Sequence, residues 1–411
     1  MKPGIGTICF GAAVAFLALS WSDGHYWDEY FYLYSVAAHS PTELVRYELQ
    51  SGIFPPGFFS EKIAHVVVLD LLTSLLGTGP RVVYALQALY AVLLLAFFGA
   101  AYGLLRRLLG ERVARDSALV LAFSPLALYL SFKLMSEVPG LLFATLAGWA
   151  FVAGLETGSR RRTVVRLALA ALALAVALLF RITMVVSFAG LGLALLVAGD
   201  ERFERGQVLR RLLAVGIPAT VLYAGGLALA DGGVLRIGAH IASVVSTHPP
   251  LQRVYALGLF IQTLVLVLPF AWRRRQEPAP RLGFLWLAAS ALPFLAGHEP
   301  RYYAPALVPL AVVVAAGLRG ASDFLLGSRL RYGWVGLLAA LTLVNRGLLV
   351  PIMPYEVDQA RLLGVFQGLQ ARDPQATYLI PWTTDFSLLR FAFPEARIEL
   401  CLSDTPESRH Y

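Results

Sequence analysis

Residues 22–35 read SDGHYWDEYFYLYS and set Asp28 beside Glu29 in a stretch crowded with Tyr, Phe and Trp. A carboxylate within hydrogen-bond reach of a hydroxyl can take its proton as a new bond forms. Neighbours on a helix point about 100° apart, so the two acids cannot both aim at one atom. One of them faces a site while the other caps the helix or meets water. The competing reading is an interfacial helix with an aromatic belt, because Tyr and Trp favour the headgroup level of a bilayer.

Three further stretches bear on that choice. Lys133 and Glu137 flank a tight turn in SFKLMSEVPG, Arg181 opens an apolar run in LLFRITMVV, and GHEPRYYAPALVPL holds His298, Glu299, Arg301, Tyr302 and Tyr303 between two apolar runs. An arginine can grip a phosphate or carboxylate with two parallel hydrogen bonds. A cation beside lipid is costly unless it is paired or turned into a cavity, although Lys133 and Arg181 could instead snorkel to the headgroups. Four such features on one face point to a polar chamber roofed by the first loop. His25, His298 and Glu299 could join a divalent-metal site, but no ligand spacing demands one, and no metal is assigned.

The elements that position these groups follow from composition. Of 411 residues, 58% are hydrophobic and 15% charged, with a mean hydropathy of +0.67, so the solvent of this chain is lipid. Apolar runs near 4–21, 82–105, 117–133, 138–155, 164–180, 182–198, 211–230, 254–271, 282–297, 303–319 and 332–350 predict about eleven membrane-spanning helices. The first is read as a retained span rather than a cleaved leader. The run 58–77 begins after Pro55-Pro56 and carries Glu61, Lys62, His65 and Asp70, which predicts a helix lying in, or dipping into, the interface of the first outer loop.

The net charge of +8 is an orientation signal rather than a nucleic-acid footprint, because the arginines cluster in alternate short loops. Runs such as Arg160-Arg161-Arg162 and Arg273-Arg274-Arg275 mark the cytoplasmic side. The N-terminus is then inside, and the acids, the loop 22–81 and the C-terminus are outside. The tail 351–411 alternates helical and strand patterns and predicts a small α/β appendage on a catalytic membrane domain spanning 1–350. Cys9 and Cys401 lie too far apart in pattern to suggest a disulfide. Span centres are nearly free of ionisable residues and no internal repeat is visible, which argues against a flippase or coupled transporter, the main alternative reading.

The acidic pair after the first span, the segment PPGFFSEKIAHVVVLDLLTSLLG and the late RYYAPALVPLAVVVAAGL together resemble the GT-C superfamily of polytopic glycosyltransferases. The nearest groups are prokaryotic relatives of protein O-mannosyltransferases and of the lipid A aminoarabinose transferase. GHEPRYY is also similar to a His-x-Glu-x-Arg-Phe pattern of lipid-linked mannosyltransferases. The chain departs from the aminoarabinose transferases in having Phe54, not Glu-Lys, before its prolines, and the Trp-Trp-Asp signature of oligosaccharyltransferases is absent.

The resemblance implies transfer of one sugar from a polyprenyl-phosphate donor to a hydroxyl of a lipid, glycan or protein acceptor on the outer face of the cell membrane. It implies Asp28 as general base, with Glu29 as second choice. Arg301, aided by Lys133 or Arg181, would bind the donor phosphate. Glu137, His25, His298 and Tyr302 would line the substrate site. One base without a covalent nucleophile implies inversion at the anomeric carbon.

Overall fold

The computed structural model describes residues 24–25, 27–51, 59, 62–130, 134–199, 202–229, 264–292, 300–326, 338, 357–380 and 383–400. The expected span at 4–21, that at 332–350 apart from Leu338, and the loop 231–253 lie outside the described residues.

A two-residue strand, β1 (Gly24–His25), leads into α1 (Trp27–Ala38). The next helix, α2 (Pro41–Ser51), starts on a capping box: Ser40 N donates to Glu43 Oε2 at 2.8 Å and Glu43 N to Ser40 Oγ at 3.4 Å, with Pro41 at the first helical position. The interfacial run becomes α3 (Ile63–Leu76), which ends at Gly77 in a positive-φ conformation.

The membrane body follows. α4 (Pro80–Leu109) is about 45 Å long at 1.5 Å per residue, more than the roughly 30 Å hydrocarbon core. The expected single span 117–133 is broken instead into α5 (Glu111–Ala122) and α6 (Pro125–Leu130). The cause is local: a residue before proline avoids the helical region. Ser124 Oγ then accepts from Ala127 N at 3.1 Å and restarts the helix.

α7 (Glu137–Leu155) and α8 (Arg160–Phe180) form a tight antiparallel hairpin, followed by α9 (Met184–Ala198) and α10 (Arg205–Leu229). Beyond 263 come α11 (Leu264–Arg273), α12 (Pro278–Ala291), a 3-10 turn (Pro300–Ala306) and α13 (Leu307–Leu326). Two spans are enveloped: 83% of the apolar window is buried in α7 and in the 301–324 helix, against 22% in α10. The first two are the centre of the bundle and α10 faces outward.

All the long arginine runs fall at one end of this bundle, where they also have structural work. Arg202 Nη2 donates to Leu108 O at 2.7 Å and Arg211 Nη1 to Gly154 O at 2.6 Å, and Arg166 Nη1 reaches Ala153 O at 2.6 Å. Each satisfies a carbonyl left over at a helix C-terminus, where the helix dipole also favours a cation. On the same end Arg319 of α13 binds Asp116 of α5, tying two spans together.

After β2 (Val357–Asp358) the chain forms α14 (Gln359–Arg372), β3 (Thr377–Ile380), α15 (Thr383–Ala392) and β4 (Arg397–Leu400). β3 and β4 pair in parallel, as a β-α-β crossover requires, with Thr377 opposite Arg397. β2 returns to the start of the described chain and pairs antiparallel with β1, Gly24 opposite Asp358 and His25 opposite Val357.

Candidate active site

The antiparallel hairpin of α7 and α8 brings the N-terminus of one helix beside the C-terminus of the other. Glu137 is the first residue of α7 and Arg181 the first residue after α8. A negative group at the positive end of a dipole and a positive group at the negative end are both favoured, and here the two groups also attract each other. Arg181 Nη2 lies 3.4 Å from Glu137 Oε1. Arg301, in the 3-10 turn ahead of α13, places Nε 3.8 Å from the same oxygen. Oε1 accepts no hydrogen bond from them at these distances, while Ser136 Oγ donates to Oε2 at 3.3 Å. The guanidinium of Arg181 sits over the Tyr302 ring, 5.4 Å from its centroid, in cation–π contact.

A third cation joins from the N-cap of α3. Lys62 is buried and its Nζ donates to the Tyr32 hydroxyl at 2.8 Å. Its charge acts on Glu137 together with those of Arg181 and Arg301. One turn on, His65 is fully buried, with Nδ1 2.8 Å from the Tyr90 hydroxyl and the rings of Tyr32 and Tyr90 edge-on to it. Among the described residues the cluster thus holds three cations around one carboxylate, all at most 8% exposed. Three basic side chains beside one acidic one give this end of the bundle a basic lining, which suits an anion.

Aromatic packing flanks the cluster. Phe59 packs edge-on against Tyr32 and its N–H donates to the buried Glu48 at 2.7 Å, linking the chain before α3 to α2. Phe143 and Phe180, the residue before Arg181, stack nearly parallel, 6.0 Å apart. The whole cluster lies at the end of the bundle opposite the arginine caps.

Of the residues singled out from sequence, the structure brings together Glu137, Arg181, Arg301 and Tyr302. Asp28 and Glu29 lie in the first turn of α1 and His25 on β1. Lys133 and His298 lie outside the described residues. Sequence reasoning did not assign Lys62, His65, Tyr32 or Tyr90 to the site. The departure noted at Phe54 pointed away from Lys62, which follows the prolines at a distance and reaches the cluster nonetheless. Its signal was a lysine and a histidine three residues apart at the head of an apolar run, and so on one helix face. No group of three or more His, Cys, Asp or Glu residues suited to a metal occurs among the described residues.

The sequence matches the family model of dolichyl-phosphate-mannose-protein mannosyltransferases over residues 63–223, the stretch that contains His65, Glu137 and Arg181. The fold resembles ArnT from Cupriavidus metallidurans bound to undecaprenyl phosphate, with a TM-score of 0.51, 15% identity, and coverage of 96% of this chain and 76% of that one. By fold, the chain resembles the GT-C glycosyltransferases. The same GT-C architecture relates it to the oligosaccharyltransferase of Archaeoglobus fulgidus in complex with zinc and sulfate, with a TM-score of 0.55, 15% identity, and coverage of 96% of this chain and 62% of that one. The AglB structure from that organism, with an inhibitory peptide and a dolichol-phosphate, gives 0.53 and 12% identity, covering 95% and 64%. The chain thus spans less than two thirds of the archaeal enzymes. Comparison with curated proteins yields no match.

Proposed function

We propose that this GT-C-like protein is a membrane glycosyltransferase that moves one sugar from a polyprenyl-phosphate carrier to an acceptor hydroxyl, with inversion at the anomeric carbon. The observation that carries this reading is the buried set of Lys62, Arg181 and Arg301 around Glu137 at the end of the two central spans. A phosphate is the anion such a set suits, and a phosphate that must be presented at a membrane end is one carried on a lipid.

The division of labour follows from the helix register. Position 28 lies four residues before Tyr32 and position 29 four before Leu33, so each pair shares one side of α1. Tyr32 meets Lys62, whereas Leu33 is packed in the apolar core. Asp28 is therefore the base and Glu29 supports the helix. The acceptor oxygen attacks the anomeric carbon, the bond from that carbon to the phosphate oxygen breaks, and the proton passes to Asp28. Polyprenyl phosphate leaves with the electron pair, its charge met by Lys62, Arg181 and Arg301 without any proton donor. Glu137 holds the two guanidiniums apart and oriented. His25, His298, Lys133 and Tyr302 are assigned to the rim that receives the sugar and the headgroup.

The sidedness completes the reading. The arginine-capped end faces the cytoplasm and the cluster faces outward, so the donor arrives already attached to its lipid. The test is transfer from a synthetic polyprenyl-phospho-sugar by the protein in nanodiscs, with the product's anomeric configuration read by NMR. Asp28→Asn abolishes transfer while donor lipid still copurifies. An Asp28→Asn protein that transfers at the normal rate sinks the assignment, and a product of retained configuration sinks the mechanism.

A further inference from the structure

The segment 357–400 touches the helix that carries Asp28 at several independent points. β2 pairs with β1, two residues ahead of α1. Phe386 of α15 meets the Tyr34 ring edge-on, 5.6 Å between centroids, and α15 packs along α1 and onto α4. Between these contacts stands a pair of buried amides. Gln87 Nε2 donates to Gln359 Oε1 at 2.8 Å and Gln359 Nε2 returns a bond to Gln87 Oε1 at 3.4 Å, both residues being 0% exposed.

Gln87 is two turns inside a membrane-spanning helix, where a side-chain amide requires hydrogen-bond partners. The partner recorded here comes from 272 residues away, the residue directly after β2. The mechanical chain is short: rigid α4, the amide pair, β2, β1, and then the first turn of α1.

We propose that Gln359 is a positioning residue, and that the C-terminal segment clamps α1 so that its first turn is held over the cation cluster. This deepens the catalytic reading above and rests on it only for the consequence in rate. Lys62, Arg181 and Arg301 come from the N-cap of α3, the end of α8 and the 3-10 turn, none of which the clamp supports directly. Loosening the clamp therefore moves the base and leaves Arg181 and Arg301 in place, with Lys62 alone coupled to α1 through Tyr32.

The experiment pairs hydrogen exchange with kinetics on the full chain in nanodiscs, using Gln359→Leu, Phe386→Ala and the matched apolar pair Gln87→Leu/Gln359→Leu. In Gln359→Leu the amides of 27–38 exchange at least about tenfold faster while those of α7 and α8 are unchanged. The turnover number falls about tenfold with the donor KM within twofold. The double variant, which replaces both amides of the pair by apolar side chains, regains protection over 27–38 relative to the single. Phe386→Ala gives the same pattern if Gln359→Leu cannot be purified. Unchanged exchange over 27–38 overturns the clamp. Faster exchange with unchanged turnover overturns the positioning role. A wild-type protein without transfer refutes the proposed activity instead, and the exchange comparison still decides whether the clamp exists.

Discussion

Lys62 Nζ donates to the Tyr32 hydroxyl at 2.8 Å and lies 5.1 Å from the centre of that ring, so the helix of the proposed base and the cation cluster are joined through one bond. The ammonium is buried and acts on Glu137 from the N-cap of α3. Lys62→Met keeps the aliphatic volume and removes the charge. Transfer should fall on the order of 10²–10³, the usual cost of deleting a charged donor at a developing anion. Tyr32→Phe removes only the orienting hydroxyl and should cost less. Steady-state kinetics against donor concentration separate the two, and a Lys62→Met enzyme with wild-type kcat/KM would remove Lys62 from the phosphate site.

Glu137 supplies the other half of that balance. Its carboxylate is 3.4 Å from Arg181 and 3.8 Å from Arg301, all three side chains being nearly inaccessible. Glu137→Gln leaves two guanidiniums facing each other with their shared counter-charge gone. Removing one partner of a buried ion pair costs about 3–5 kcal/mol. The expected result is a large drop in unfolding midpoint in an SDS titration, with partial recovery when Arg301→Met is added, because the second change removes one of the two cations that Glu137 faced. A midpoint within error of wild type would mean that the pairing contributes nothing to the fold.

Glu137, Arg181 and Arg301 could be picked out from sequence because a charge in an apolar run is conspicuous, and the positive-inside pattern assigned them all to one face. Their convergence on one oxygen could not, since it depends on which helices become neighbours. Lys62 and His65 were not assigned to the site for a related reason. A lysine, a histidine and an aspartate in an otherwise apolar run imply a helix at the water interface, yet Lys62 and His65 turn inward and are buried. Composition tells how many polar groups a helix has, but only packing tells which way they point. The helix-strand-helix-strand order of 359–400 was visible in its periodicity, and the break at Pro125 had its own local signal in Ser124-Pro125. The bond from Gln87 to Gln359 had none, because an amide in a span announces a need for a partner and nothing about where that partner lies.

Close helix contacts give a test of the bundle that is independent of catalysis. A Cβ placed on Gly317 of α13 would lie 2.7 Å from the Val267 carbonyl oxygen and 2.8 Å from the Val267 Cβ on α11. Backbone atoms cannot rotate away, so Gly317→Ala must push the two helices apart and should cost about 1–3 kcal/mol. Gly216, on the outward-facing α10, meets nothing within 4 Å of such a Cβ. Gly216→Ala should therefore stabilise by about 0.5–1 kcal/mol through helix propensity alone. Thermal or SDS unfolding of the two variants should move in opposite directions, and a neutral Gly317→Ala would show that α11 and α13 do not pack at this distance.

The C-terminal segment carries its own pH signature. Burial pushes the Asp385 carboxyl above its ordinary value. The sign follows from linkage. Well below the unfolded-state value, near 4 for an aspartate, both states are protonated and the group is neutral with respect to folding. As the pH rises, the unfolded chain loses its proton first, and the folded segment must then hold a carboxylate where water is scarce. Fewer protons are bound in the unfolded state across that window, so stability falls from about pH 4 upward and levels off once the folded group has ionised. Asp385→Asn keeps the shape and removes the ionisation. The variant should match wild type at low pH and exceed it at neutral pH, read as slower exchange of the amides in β3, α15 and β4 after correction for the intrinsic pH dependence of exchange. An equal gain at every pH would assign the effect of the substitution to packing or helix capping instead. Because α15 rests on α1, the same variant should also slow exchange over residues 27–38 at neutral pH. That last result joins the titration of a single carboxyl outside the spans to the steadiness of the helix that carries the proposed base.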